Sequence, residues 1–410
     1  MNCRHCKKEL SYTFIDLGSS PPSNSYLTEI TMKAPENWYP LKVLVCNNCW
    51  LVQTEDFVGA SEMFSEDYAY YSSYSSSWLE HARLYVEDMT KRFDLNKKSN
   101  IVEIAANDGY LLQYVMDKNI PCYGIEPTHG TAMVAREKGI KIIEDFFGEK
   151  LALKLSSKGM KADLTAANNV LAHVPDINDF VKGFSILLKP DGVSTFEFPH
   201  LLNLVKNNQF DTIYHEHYSY LSLVSILRIF EVNGLSVFDV EELSTHGGSL
   251  RIYAQRSDTG SQPISKKVNE LKLCEEIAGI NKLEFYQGLQ SKAEEIKTNL
   301  VEFLINAKKN DKKVVAYGAA AKGNTMLNFA GIRPDLIHYV VDKNPAKQGK
   351  YMPGSRIPIK TENYLKFDDN PDYIIILPWN LKNEVIEQLE YIKRKGTQFV
   401  TFIPAMELYD

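Results

Sequence analysis

Between residues 100 and 198 the chain alternates short apolar runs with helical stretches, and this alternation restricts the fold more than any other feature. Residues 100–106 read as a buried strand. Asn107-Asp108-Gly109 reads as a turn, and a helix starts at Tyr110. Residues 122–127, 141–147, 162–169 and 192–198 read as four more strands. Strands separated by helices pair in parallel, which predicts a doubly wound α/β sheet. Residues 223–233 then read as a helix, 235–240 as a strand, and 247–254 as a strand suited to a closing hairpin. The last strand is therefore expected to be antiparallel.

The first turn sets the cofactor. A small-residue loop after the first strand lets backbone approach a ligand closely, and an acid near the end of the next strand can bind ribose hydroxyls. Glu126 holds that position. Of the three-glycine dinucleotide pattern only Gly109 is present. A donor without a pyrophosphate tolerates this loss, so S-adenosylmethionine is favoured over a nicotinamide. Glu103 and Asp108 are expected at its cationic methionine end, with Asn107 and Gly109 in the same loop. Glu126 is expected at the ribose and Asp145 and Phe146 at the adenine, with Asn168 and Asn169 contributing from the fourth strand.

Four of the six cysteines form two hooks, Cys3-x-x-Cys6 and Cys46-x-x-Cys49. Paired hooks present four thiolates to a tetrahedral Zn2+. All four ligand positions are filled, so the metal is expected to be structural. His5, inside the first hook, reads as solvent-facing rather than as a ligand. Cys122 and Cys274 read as buried fillers. Pro21-Pro22-Ser23-Asn24 reads as a rigid turn.

At 410 residues the chain suggests two or three domains. A net charge of -6, with no long basic run, argues against a nucleic-acid partner. The apolar runs are too short to span a membrane, and no apolar signal region opens the sequence. A cytoplasmic protein is the expectation. Oligomeric state is left open.

Tyr214-His215-Glu216-His217 packs a phenol, two imidazoles and a carboxylate into four residues. Imidazole titrates near neutral pH, so such a cluster can move protons. A transition-metal site is the alternative, since His215 and His217 would share a face on a strand. Lone histidines such as His81, His129, His246 and His338 read as structural. Residues 260–308 read as long connecting helices. Residues 314–318, 337–342, 373–377 and 399–403 then read as strands of a second nucleotide-type fold. A helix starting after Gly318 could receive a pyrophosphate, with Lys322 adding charge.

Taken together, these motifs resemble the deoxysugar C-methyltransferases, specifically C-3-methyltransferases of nucleotide-linked 4-keto sugars. The resemblance rests on Pro22-Ser23-Asn24, the hook Cys46 to Cys49 continuing to Gln53, and residues 67–73. It also rests on residues 103–109, 169–175, 197–200 and 214–217, and on the segment from Tyr317 to Asn324. It implies a zinc module (residues 1–62), a methyl-donor domain with connecting helices (63–300) and a C-terminal Rossmann-like domain binding the sugar nucleotide (301–410). A carbon beside a keto group is a weak acid, so such chemistry needs a base and a stabiliser for the enolate oxygen. His217 is expected as the base, with Tyr214 donating to the keto oxygen or steering the imidazole. Glu216 would orient the sugar or a histidine, and His173 would assist. Tyr68 or Tyr70 would close the pocket. His200, Lys322 and Asn324 are expected to bind substrate. The competing functions are a nicotinamide-dependent sugar oxidoreductase and a non-catalytic, zinc-containing nucleotide-sugar binder.

Overall fold

A computed structural model describes residues 1–57, 59, 71–367, 371–394 and 396–409. Tyr68 and Tyr70 lie outside the described residues.

Three sheets organise the described chain. The first combines β1 (Tyr12–Ser20), β2 (Tyr39–Val45) and β3 (Val52–Thr54) with β9 (Ser219–Tyr220), in the order β1-β2-β3-β9. Its last strand comes from the middle of the chain. Val52 pairs with Tyr220 and Gln53 with Ser219, so the zinc module is completed by the residues directly after His217.

The second sheet has seven strands: β4 (Ile101–Ile104), β5 (Cys122–Ile125), β6 (Ile142–Ile143), β7 (Ala162–Asn168), β8 (Leu188–Pro199), β10 (Leu235–Leu243) and β11 (Ser249–Arg256). Their order is β10-β11-β8-β7-β4-β5-β6. The pairs from β8 to β6 are parallel, and β11 runs antiparallel to both its neighbours. All four residues of β4 are buried, which is why that strand is a continuous run and not an alternating one. Helices cover both faces. The helix Ser76–Arg92 starts where the Ser75 side chain accepts from the Trp78 amide. The helix Ile177–Leu187 is capped by Asp176, which accepts from Asn178 and Asp179.

The third sheet follows two helices, Lys266–Ala278 and Leu289–Lys309. It contains β12 (Val314–Tyr317), β13 (Val340–Asp342), β14 (Ile359–Thr361), β15 (Tyr373–Ile376), β16 (Gln398–Thr401) and β17 (Glu407–Tyr409). The order β14-β13-β12-β15-β16-β17 is parallel except at the β17 edge. β14 and β17 are short, and the sequence reading did not include them.

The zinc module has no core of its own. Cys3, Cys46, Cys49 and Leu51 share a cluster with Val102, Ile104 and Phe196 of the seven-stranded sheet. Phe14, Leu41 and Val43 instead join Ala316, Leu327 and Ile375 of the third sheet. A module of this size buries too little apolar surface alone and leans on both neighbours. Cys274, expected to be buried, is exposed on the helix Lys266–Ala278, and Cys122 is half-buried. Two positions along that helix separate its buried side from its wet side: Glu275 is buried and Leu273 exposed. His5 is not simply solvent-facing, because its Nδ1 lies 2.8 Å from the Asn178 Oδ1.

Candidate active site

The carboxyl ends of β4 and β7 form one wall. Parallel pairing sets Glu103 beside Ala166, so the loops leaving both strands open on the same edge. Ala105, Asn107 and Gly109 all have positive φ (58°, 48° and 77°), and the loop turns sharply as it leaves β4. Ser72 N–H donates to Asn107 Oδ1 at 2.9 Å and Ser73 N–H to Asp108 Oδ2 at 3.1 Å. Lys138 Nζ donates to the Asp108 carbonyl.

This wall carries buried polar groups that the protein does not satisfy. Both Glu103 oxygens, Asp108 Oδ1 and both polar atoms of Asn168 lack a hydrogen bond of normal geometry, with the Tyr110 hydroxyl beside Glu103 and Asn168. Burial pushes the Glu103 carboxyl well above its ordinary range; the Tyr110 hydroxyl opposes this and the Asp108 charge adds to it. Buried carboxyl oxygens left short of protein partners suit a cationic ligand. The sulfonium and ammonium of S-adenosylmethionine supply the positive charge, so the residues present fit this donor.

The other predicted donor contacts are less uniform. Glu126 Oε2 accepts from Asn107 N–H, and Oε1 from Thr128 N–H and the Thr131 hydroxyl. Glu126 therefore braces the loop itself. Asp145 and Phe146 lie on the exposed flank, where the Asp145 Oδ1 accepts from the Phe146 N–H.

Residues 169–173 lead from this wall to the histidine cluster. The Ala172 carbonyl accepts from the Tyr218 N–H at 2.8 Å. The His173 and His217 rings meet edge to face at 4.6 Å, and Tyr214 lies over His217 at 4.0 Å. His217 Nδ1 is 2.8 Å from the Thr212 carbonyl. A carbonyl only accepts, so Nδ1 carries the proton and Nε2 keeps its lone pair. Burial depresses the His217 pKa well below its ordinary value, with the neighbouring His173 adding to the effect. His173 falls to about 4, chiefly through burial.

Tyr214 to His217 form a turn and not a strand, and the two outer imidazoles diverge. His215 Nε2 faces the Tyr39 and Pro40 carbonyls at 3.3 and 3.2 Å, while its ring packs on Tyr39. His215 is a packing neighbour, and the pair does not form a metal site. Among the described residues, the group arranged to hold a metal is Cys3, Cys6, Cys46 and Cys49, with ligand atoms all within 4.8 Å of one another. Four thiolates of this closeness fit tetrahedral zinc and leave no open position.

Three residues of the zinc module reach the cluster. Asn24 Nδ2 donates to Glu216 Oε1 at 2.6 Å. Thr54 donates through its hydroxyl to the His217 carbonyl at 3.1 Å. Arg4 Nε donates to the Tyr218 carbonyl at 3.3 Å, while its guanidinium pairs with Asp56. Asn24 stood in a motif of the sequence, but nothing local to Pro22-Ser23-Asn24 points to a carboxylate far along the chain.

The third sheet closes the opposite side. The helix Ala321–Phe329 brings Lys322, whose Nζ donates to Asn380 Oδ1 at 2.7 Å and lies 4.7 Å from the Trp379 ring. Trp379 Nε1 donates to Asp211 Oδ2 at 2.7 Å. Burial raises the Asp211 carboxyl to about 6, and Lys322 opposes the rise. Asn324 is buried with both polar atoms of its amide unpaired.

The turn that follows β12 is held by protein groups. Tyr26 Oη donates to the Ala319 carbonyl at 2.6 Å, and Lys347 Nζ donates to the same carbonyl at 2.8 Å. Asp342, at the end of β13, accepts from the Ala319 and Asn344 amides. The acid that a dinucleotide fold would spend on ribose holds backbone here.

His200 does not face the cleft. It is fully buried, with Nε2 2.7 Å from Glu275 Oε1. Glu275 also accepts from the Leu223 and Val224 amides, so the pair caps the helix Leu223–Val232. His81 and His246, read as structural, both lie near the cleft. His81 Nε2 meets Glu197 Oε2 at 2.8 Å, and Trp78 packs against both rings.

Sheet order and site together define a methyltransferase. Family models match accordingly: a zinc binding domain over residues 3–64, a methyltransferase domain over 78–240 and a C-methyltransferase C-terminal domain over 244–404. The chain is 32% identical to the C-methyltransferase NovU of Streptomyces niveus over 402 residues, 98% of this chain and 95% of that one. The chain belongs to this C-methyltransferase family. It is an S-adenosylmethionine-dependent C-methyltransferase with a structural zinc module.

Solved structures align with less than half of the chain. Magnesium protoporphyrin IX methyltransferase of Synechocystis PCC 6803 is 16% identical, with a TM-score of 0.34 over 44% of this chain and 79% of that one. The PH0226 protein of Pyrococcus horikoshii is 12% identical, with a TM-score of 0.37 over 46% of this chain and 95% of that one. No helix among the described residues is long and apolar enough to cross a membrane.

Proposed function

We propose that the acceptor is a nucleotide-linked 4-keto-deoxysugar and that carbon 3 is methylated through an enolate. The observation that carries this reading is the fixed tautomer of His217: Nδ1 is spent on the Thr212 carbonyl at 2.8 Å, leaving a neutral Nε2 as a base. S-adenosylmethionine supplies an electrophilic methyl when bound. His217 Nε2 takes the proton from carbon 3, and the C–H electron pair becomes the enolate. Tyr214, whose ring lies tilted over His217, steers the imidazole and donates to the enolate oxygen. Glu216, held by Asn24, orients the sugar. His173 supports His217 from the end of β7. Lys322 and Asn324 receive the diphosphate side of the acceptor from the helix N-terminus.

Residues 1–62 serve as the zinc module, 63–300 as the donor domain with its connecting helices, and 301–410 as the acceptor-nucleotide lobe. Asp342, spent on the Ala319 and Asn344 amides, disfavours a nicotinamide ribose in that lobe, and the unpartnered carboxyl oxygens of the donor wall disfavour a non-catalytic role. Incubation with a panel of 4-keto-deoxysugar nucleotides and S-adenosylmethionine, read by mass spectrometry, tests the reading. One added methyl on carbon 3 is expected. Methylation elsewhere, or none across the panel by protein that binds the donor, would exclude it.

A further inference from the structure

The turn between β10 and β11 has no role in the reaction described so far. Strand register places it at the catalytic edge. Glu197 of β8 pairs with Asn168 of β7 on one side and with Arg251 of β11 on the other. The turn that precedes β11 therefore caps the edge from which Asn169 leaves β7.

Its backbone is held in an unusual conformation. His246, Gly247 and Gly248 all have positive φ, at 53°, 88° and 113°. A side chain adopts this region when its surroundings over-determine it, and such positions concentrate at functional sites. Those surroundings are specific. Thr245 donates through its hydroxyl to Glu197 Oε1 at 2.9 Å, and Glu197 is in turn held by His81 and Arg251. A Cβ on Gly247 would collide with the Trp379 ring of the third-sheet lobe, and one on Gly248 with the Asn203 side chain.

Opposite His246 stands Asn169, also at positive φ (53°). Its Nδ2 lies 3.0 Å from His246 Nε2, and its buried Oδ1 has no partner. Donation by the amide makes Nε2 the acceptor and puts the imidazole proton on Nδ1. Burial, reinforced by Lys322, holds the ring neutral by lowering its pKa to about 4. Among the described residues Nδ1 has no hydrogen-bond partner, and the residue is only partly buried. The ring is thus a neutral donor placed between the end of β7 and the Lys322–Trp379 side of the cleft.

We propose that His246 contacts the acceptor, its Nδ1–H donating to an oxygen of the sugar while Asn169 fixes the tautomer. The donor wall is acidic and suits a cation, whereas an N–H suits an electron-rich oxygen. This inference rests on the sugar-nucleotide reading above.

Zinc-loaded full-length protein carrying His246→Asn or His246→Gln tests it. Asparagine tolerates positive φ and so spares the backbone, but it is too short to reach. With the sugar nucleotide that wild type methylates, His246→Asn should lower kcat/KM for the acceptor about 10- to 100-fold. Affinity for S-adenosylmethionine and Tm should stay at wild-type values. His246→Gln, which keeps an N–H at longer reach, should recover part of the loss. Unchanged acceptor kinetics in a folded His246→Asn would overturn the role of His246 alone. A matching loss of S-adenosylmethionine affinity would overturn it too, by moving the residue to the donor side. Should His246→Asn fail to fold, His246→Gln decides by the same split of acceptor kinetics from donor affinity. Wild type that binds the donor but methylates no sugar nucleotide would instead sink the acceptor assignment itself.

Discussion

The Asn24 amide donates to the Glu216 carboxylate at 2.6 Å, joining the zinc module to the turn that carries His217. The same amide's Oδ1 accepts from the Tyr26 hydroxyl at 3.3 Å, and Tyr26 reaches on to Ala319 of the third-sheet lobe. Asn24 thus stands where three parts of the chain meet. A hydrogen bond to a charged group contributes about 1.5–3 kcal/mol. Asn24→Ala should reduce kcat about 10- to 100-fold with the S-adenosylmethionine KM unchanged. Steady-state kinetics with each substrate varied will show whether kcat alone moves.

Zinc removal should act on the same turn. Cys46 and Cys49 lie in the turn that leads from β2 into β3, whose Thr54 and Gln53 pair with the backbone from His217 to Ser219. Losing the tetrahedral clamp frees that strand. Cys46→Ser protein should lose zinc and turnover together yet retain S-adenosylmethionine binding, because Ile101, Ala106, Leu112 and Leu164 pack in a cluster of the seven-stranded sheet that includes no residue of the module. Metal analysis, calorimetry with the donor and turnover make the comparison. Full turnover without zinc would contradict the clamp.

The pH profile follows from His217. Burial lowers its pKa well below 6.5, so the ring is neutral at pH 7 and stays neutral as the solution is mildly acidified. The acid limb of kcat/KM should therefore fall below pH 6.5, not at it. His217→Asn should remove that limb and abolish exchange of the carbon 3 proton with solvent. Exchange at the wild-type rate in His217→Asn would move the base elsewhere.

Lys322 separates acceptor from donor binding. It is half-buried and backed by Trp379 and Asn380. Its charge is depressed by burial and supported by Asp211. An acceptor diphosphate would supply the missing counter-charge. Lys322→Ala should raise the acceptor KM about tenfold or more and leave donor affinity alone. Equal acceptor KM values would remove the phosphate role.

Glu275 offers a test of stability. It is fully buried, pairs with His200 and accepts two helix N-terminal amides. Breaking a buried pair from one side costs about 3–5 kcal/mol. Glu275→Ala should lose that much in denaturant unfolding, and His200→Ala should not add the same cost again, since the two act as one unit.

Much of this architecture could be read in the chain. The four cysteines, the strand–helix alternation, the antiparallel last strand and the second nucleotide-type fold are local patterns, set by spacing and hydrophobic period. The placement of Glu103, Asp108 and His217 as buried polar residues beside strand ends was legible for the same reason: residue type and strand-end position were both visible. What sequence missed depends on contacts between distant segments. His246 looked like any isolated histidine until the hairpin placed it against Asn169. Asn24 looked like a turn residue until the module docked on Glu216. His200, adjacent to the strand end and expected at the substrate, turns inward to Glu275 because a helix start buried beside it leaves two amides to satisfy.

The sequence by itself determined the class of sheet, the metal ligands and the residue types available for proton transfer, because each follows from short-range periodicity or spacing. Tertiary structure decided which of those residues face one another. Only packing spends His215 on the zinc module, ties His217 Nδ1 to the Thr212 carbonyl, and brings Tyr26 to the Ala319 carbonyl of the third-sheet lobe. Burial and partners fix protonation and direction, and both are properties of neighbours that lie far apart in the chain.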